Sequence, residues 1–215
     1  LQGGFSGING SEWVKVIYGL VLSTFMGFGM GFAVVKGVEL VCYRIDRRKT
    51  LGFFKNAQVA AAAAMGFMHG AQDGQKFMSV FMLGIFLVRG QEQTAGFIIP
   101  FWLIVLCSGA MALGTSIGGY RIIKAVGMDM VKLEKYQGFS ADLAAAICLL
   151  VSSLTGLPVS TTHTKTTAIM GVGSAKRVSS VNWSVVKEMV MAWLLTFPGG
   201  GIIGFLMAKL FITIF

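Results

Sequence analysis

From Phe97 to Tyr120 the chain carries no charged residue, and from Val14 to Cys42 the only charges are Lys15, Lys36 and Glu39. Both runs exceed the roughly 20 apolar residues that cross the hydrocarbon core of a bilayer. A secretory signal would give one short apolar run near the start. Here apolar runs recur up to the last residue. Charged residues make up 13% of the 215, against about a quarter in soluble domains. Mean hydropathy is +0.75. A water-soluble core of this size would leave much of that apolar surface exposed. The chain therefore reads as an all-α, polytopic integral membrane protein.

The remaining composition narrows the class. Glycine is abundant (29) and proline rare (3). Small residues let membrane helices approach backbone to backbone. The net charge of +9 sits in a few loops and forms no stripe interleaved with aromatics, so it is not a nucleic-acid footprint. Cys42, Cys107 and Cys148 are isolated in apolar segments, with neither metal-type spacing nor a disulfide framework. The opening LQGGFSGINGSEW is Gly-rich and begins without Met, which reads as a fragment, a processed product or the second part of a longer chain.

The whole of residues 1–215 reads as one membrane domain. Segment one, about Trp13 to Tyr43, is crowded with glycine and should pack closely on a neighbour. A basic loop, YRIDRRKTLGFFK, follows. Segment two, about Asn56 to Val88, is interrupted by HGAQDGQK (His69 to Lys76), where a break at Gly70 to Gly74 is expected. After the loop RGQEQTAG comes segment three, Phe97 to about Ile123. The next stretch, 139–173, reads as a re-entrant hairpin. An Ala-rich arm with Asp142 leads to LPVSTTHTK, and the short arm Thr166 to Gly173 returns. Non-helical backbone at such depth is tolerated only where it lies buried in protein or lines a wet cavity. The last segment, Trp183 to Phe215, contains a break at Pro198 and three glycines.

Loop charge supports this threading. Arg44, Arg47, Arg48, Lys49 and Lys55 follow segment one. Arg121, Lys124, Lys132 and Lys135 follow segment three. Lys176, Arg177 and Lys187 follow the hairpin. All fall on the inner side only if the hairpin returns to the side it left. The opposite loops carry Arg89 and the terminal Lys209.

Two motifs carry chemistry. His69, Asp73 and Lys76 lie within an apolar segment, where ionisable residues are costly and face a cavity or a partner. An Asp73–Lys76 pair could simply staple helices. The same residues could form an ion site, the default reading of ionisable residues within a membrane segment. His69 and Asp73 have the i, i+4 spacing of a metal pair, which alone is weak evidence. In PVSTTH, Pro158 stops the incoming helix, and Ser160, Thr161 and Thr162 place three hydroxyls at the next helix start. That is either an ordinary cap or an anion site. Helix ends meeting at mid-membrane are the pattern of secondary transporters. Asp142 would pair with Lys165 or help bind a cation.

At these residues the chain resembles the inorganic phosphate transporter (PiT) family of cation–phosphate symporters. HGAQDGQK is similar to the family's HGANDxxN/K signature. ADLAAAICLLVSSLTGLPVSTTHTKTTAIMGVG resembles its second hairpin. The resemblance covers nearly the whole chain and matches the second of two inverted repeats, each with a broken helix and a hairpin. It implies alternating access at a mid-membrane site completed by the other repeat, with a homodimer among the expected partners, in a prokaryotic-type plasma (inner) membrane. By resemblance, Asp73 and Asp142 would serve the coupling cation, Na⁺ or H⁺. Gln72, Lys76, Ser160, Thr161 and Thr162 would hold phosphate, with His69 and His163 supporting. No cofactor and no metal beyond that cation is implied. Gln72 stands where Asn is commoner, and Asp142 where Glu is frequent.

Two other readings compete. An intramembrane hydrolase could use Ser160, His163 or His69, and Asp73, since Ser160 and His163 lie at i, i+3. Yet no nucleophile elbow surrounds Ser160, and Thr161 and Thr162 would be unexplained. A helical scaffold without a site leaves Asp73, Lys76 and Asp142 unexplained.

Overall fold

The computed structural model describes residues 9–89 and 98–214. The order is α1 (Gly10–Cys42), α2 (Arg47–Arg89), α3 (Phe101–Lys124), a π-helical turn (Ala125–Met130), α4 (Lys135–Thr155), α5 (Thr161–Lys176), a 3₁₀ turn (Val178–Ser180) and α6 (Trp183–Ile214). α1, α3, α4 and α6 are long and apolar enough to cross a membrane. Most of the expected loop RGQEQTAG and the opening residues lie outside the described residues.

Glycine decides how the bundle closes. Along α1 the buried positions are Gly19, Ser23, Gly27, Gly31 and Val35, one every four residues. This stripe faces α5 and the turn before it. A Cβ at Gly31 would overlap the Ala168 carbonyl oxygen, and one at Gly171 the Phe28 carbonyl oxygen. At Gly27 it would lie 2.6 Å from the Thr164 carbonyl oxygen. The two backbones thus touch directly, as the glycine content predicts. α4 lies against both α1 and α2, its small residues Ala144, Ala145 and Ala146 buried beside Met65, Leu149, Val159 and Ala168. A second cluster joins Val35, Val126, Met130, Val131, Ile169, Val172, Val181 and Val186.

That second cluster gathers α1, the π-helical turn, the start of α4, the end of α5 and the start of α6. Val131 and Val181 form an antiparallel bridge, and the Asn182 amide donates to the Met130 carbonyl at 2.9 Å. The Tyr136 hydroxyl reaches Glu39 at 3.2 Å, and Phe54 packs on Tyr136 and Phe139. Lys176 reaches Glu134 at 3.4 Å. The hairpin α4–α5 therefore leaves and returns at the same end, where the three basic loops also converge. Its tip meets α2 at Asp73, leaving 16 further residues of α2, about 24 Å at roughly 1.5 Å per residue, beyond it. The hairpin tip stops short of the far end of α2.

Four local expectations are corrected. α2 is helical straight through Gly70 to Gly74. Glycine permits unwinding without requiring it, and the polar run here is satisfied sideways by the hairpin. The basic loop after α1 shrinks to Tyr43–Asp46, because Asp46 caps α2, its carboxylate accepting from the Arg48 amide at 3.0 Å. The returning arm starts at Thr161 rather than Thr166. Its threonines bond back along the helix, Thr164 to the Ser160 carbonyl at 2.9 Å and Thr167 to that of His163 at 2.8 Å. α6 continues through Pro198.

α3 and α6 turn most of their apolar surface outward, and no residue in the apolar window of α6 is buried. The chain is a multi-pass integral membrane protein, and such surface suits lipid or other membrane helices.

Candidate functional site

α4 ends at Gly156, whose φ of 67° is left-handed and favours glycine. Leu157 and Pro158 carry the chain over to Ser160, the N-cap of α5. The Ser160 hydroxyl accepts from the His163 amide at 3.3 Å. The first N–H groups of α5 lack intrahelical partners, as at any helix start, and carry its partial positive charge.

The three hydroxyls occupy different surroundings. Ser160 caps its own helix. Thr161 is buried at 4% exposure and donates to Asp73, at 3.2 Å to Oδ2 and 3.4 Å to Oδ1. Thr162 is exposed. The hairpin tip is thus brought directly onto the HGAQDGQK face of α2.

Asp73 is the centre of that face. His69 Nε2 lies 3.2 Å from Oδ2 and Lys76 Nζ 3.1 Å from Oδ1. Lys76 also reaches the Val159 carbonyl at 3.4 Å. Its side chain is 55% exposed and that of Asp73 21%. The carboxylate therefore sits between a half-exposed ammonium, an imidazole and a hydroxyl. Carboxylate oxygens suit a small hard cation, and a helix start with hydroxyls and an ammonium suits an anion.

Other expected residues lie differently. Gln72 is buried, and its amide nitrogen donates to the Leu149 carbonyl at 2.9 Å and the Ser153 hydroxyl at 2.9 Å. It ties α2 to α4. Asp142 is in direct contact with Lys165 across the hairpin. The His163 ring stacks on Trp193 of α6, with centroids 3.9 Å apart. The Ser160–His163 arrangement wanted by a hydrolase is absent: the contact runs through the His163 backbone amide, and the imidazole faces an aromatic ring. Trp193 gave no sequence signal, because an aromatic within an apolar run is ordinary core or lipid-facing material. Clefts of about 500 Å³ and 210 Å³ open at the basic end, and neither is lined by the Asp73 cluster.

Comparison with known proteins agrees with this arrangement. The profile described as "Phosphate transporter family" matches residues 43–204. A protein of Bacillus subtilis (strain 168), named "Probable low-affinity inorganic phosphate transporter", is 37% identical over 94% of this chain and 60% of its own length. One of the same name from Rhizobium meliloti (strain 1021) is 36% identical over 93% and 59%. A solved structure, "The sodium-dependent phosphate transporter", shares the fold at TM-score 0.78 and 22% identity, over 91% of this chain and 65% of that one. The chain spans about three-fifths of the length of these curated relatives. With three-quarters of its residues inside the family profile and both signature motifs facing each other, the chain belongs to the phosphate transporter family.

Proposed function

We propose that this chain is one repeat of an inverted-repeat secondary transporter that carries inorganic phosphate across a prokaryotic plasma membrane by cation-coupled symport. The observation that carries the proposal is the Thr161–Asp73 contact, which joins an anion-type helix start to a carboxylate within the membrane. The family's phosphate transporters supply the substrate class. Phosphate would be held by Ser160, Thr161, Thr162, the free N–H groups of α5 and Lys76. Gln72 would act by holding α4 in place, and His69 by orienting Asp73.

Charge accounts for the coupling. A phosphate with close to two negative charges would be repelled by a bare Asp73 carboxylate. Without phosphate, Lys76 neutralises Asp73. When phosphate draws Lys76 away, Na⁺ or H⁺ takes its place on the carboxylate. Anion and cation then enter together, and alternating access moves both. The other repeat, on the same or a separate chain, would complete the site.

The experiment is accumulation of radiolabelled phosphate in vesicles containing the full-length protein. A Na⁺ or proton gradient should drive uptake above equilibrium. Uptake indifferent to both gradients would refute coupling, and hydrolysis of an ester or peptide without uptake would restore the hydrolase.

A further inference from the structure

We propose that Lys165 is the permanent counter-charge of Asp142, so that this half of the protein takes its coupling cation at Asp73 alone. The inference rests on the transport reading for its consequence, and on geometry for its premise. Lys165 Nζ touches Asp142 Oδ1, and the two side chains are 29% and 13% exposed. Both belong to the hairpin, Asp142 on α4 and Lys165 on α5. The pair therefore moves with the hairpin as one neutral unit.

The contrast with Asp73 is physical. Lys76 and Asp73 are neighbours on one helix, and the Lys76 side chain is more than half exposed. It can swing aside when a ligand arrives. Lys165 is mostly buried, one helical turn from Thr161 and behind the tip. Asp142 lies seven residues before Leu149, the level at which α4 meets Gln72. That is about 10 Å at roughly 1.5 Å per residue, so the pair and the Asp73 cluster sit at different depths. A metal ion on Asp142 would have to displace Lys165 and leave its ammonium without a carboxylate in a low-dielectric interior. Breaking a buried pair by removing one partner is strongly unfavourable, whereas replacing both partners is often tolerated. Asp142 thus serves as a fixed internal charge.

The test compares Asp142→Asn, Lys165→Met and the double variant in the full-length protein. Purified protein is followed by thermal unfolding, and phosphate uptake is measured during Na⁺ titration with pH titration in parallel. Each single variant should lower uptake about tenfold or more, and the double should recover most of it. The double should also keep the wild-type half-saturating cation concentration within about twofold and the same Hill coefficient, since a cation held elsewhere is untouched. A double variant whose half-saturating cation concentration rises about tenfold, or whose Hill coefficient falls, would make Asp142 a cation ligand and overturn the proposal. If wild type transports no phosphate, the transport reading fails. The counter-charge is then judged by unfolding alone: recovery of thermal stability in the double supports it, and additive losses refute it.

Discussion

The Thr161 hydroxyl lies within hydrogen-bond reach of both oxygens of the Asp73 carboxylate, 3.2 Å from Oδ2 and 3.4 Å from Oδ1. One hydroxyl proton is shared between two acceptors, which fixes the tip of α5 sideways on the middle of α2. The same carboxylate is held by Lys76 and His69. A change at Asp73 therefore alters charge at the point where two halves of the signature meet.

Asp73→Asn keeps the shape and removes the charge. We expect cation-driven phosphate uptake to be lost while the protein stays folded. An amide is a weaker ligand than a carboxylate for a hard cation, and it offers Lys76 no counter-charge. Uptake in vesicles, with thermal unfolding as the folding control, measures this. Full uptake with unchanged cation dependence would remove Asp73 from the mechanism.

Thr161→Val and Thr162→Val test the anion site hydroxyl by hydroxyl. Each should weaken phosphate binding by about 1.5–3 kcal/mol, the range for hydrogen bonds to charged groups, or roughly ten- to hundredfold. The apparent affinity for phosphate reads it. If both variants bind as tightly as wild type, the tip is only a helix cap.

Much of this arrangement was legible in the sequence. Long uncharged runs gave the helices, and the charge of three loops gave the return of the hairpin to its own side. PVSTTH gave the tip, since Pro158 and a Ser N-cap act locally. What depended on tertiary contact was not legible. The Gly70 to Gly74 run suggested a break, yet α2 is continuous, because Gln72 and Asp73 find partners 77 and 88 residues away. The helix start at the PVSTTH hydroxyls was local and legible, whereas the back-bonding that carries the threonine run of α5 in the helix shows only in the folded chain. Asp142 offered two partners on paper, a cation and Lys165, and only the folded hairpin puts Lys165 on it.

Glycine positions on α1 give a paired test. Gly31→Ala would push a methyl group into the Ala168 carbonyl and force α1 away from α5. Overpacking of this kind costs about 1–3 kcal/mol. Gly29 has nothing within 4 Å of a built Cβ. There Gly29→Ala should be neutral or stabilising by up to about 1 kcal/mol, through helix propensity. Thermal unfolding in detergent should separate the two. Equal effects would mean that α1 and α5 are not in backbone contact.

The stacked rings of His163 and Trp193 link the hairpin tip to α6. Aromatic pairs of this kind are worth about 0.5–1.5 kcal/mol. His163→Phe retains a planar ring and should keep most uptake. His163→Ala and Trp193→Ala should each lose stability by about that amount, and the double variant little more than either single. If His163→Phe abolishes uptake without loss of stability, the imidazole takes part in the chemistry and stacking is not its role.

Gln72 separates positioning from binding. Its amide nitrogen carries two N–H donors, and the structure directs it at the Leu149 carbonyl and the Ser153 hydroxyl. Turning the amide over would set its oxygen against the Leu149 carbonyl, acceptor against acceptor, so the orientation is fixed by α4. With both donors engaged on α4, the remaining oxygen can only accept and offers nothing to the unprotonated oxygens of phosphate. Gln72→Leu should therefore destabilise the protein by about 1–3 kcal/mol, the cost of losing a buried hydrogen-bond partner. Phosphate affinity in the folded fraction should stay within about twofold of wild type, well short of the loss expected for Thr161→Val. Thermal unfolding and equilibrium phosphate binding on the same preparation measure the two quantities. A Gln72→Leu protein of wild-type stability that binds phosphate as weakly as Thr161→Val would place the amide on the anion and not on α4.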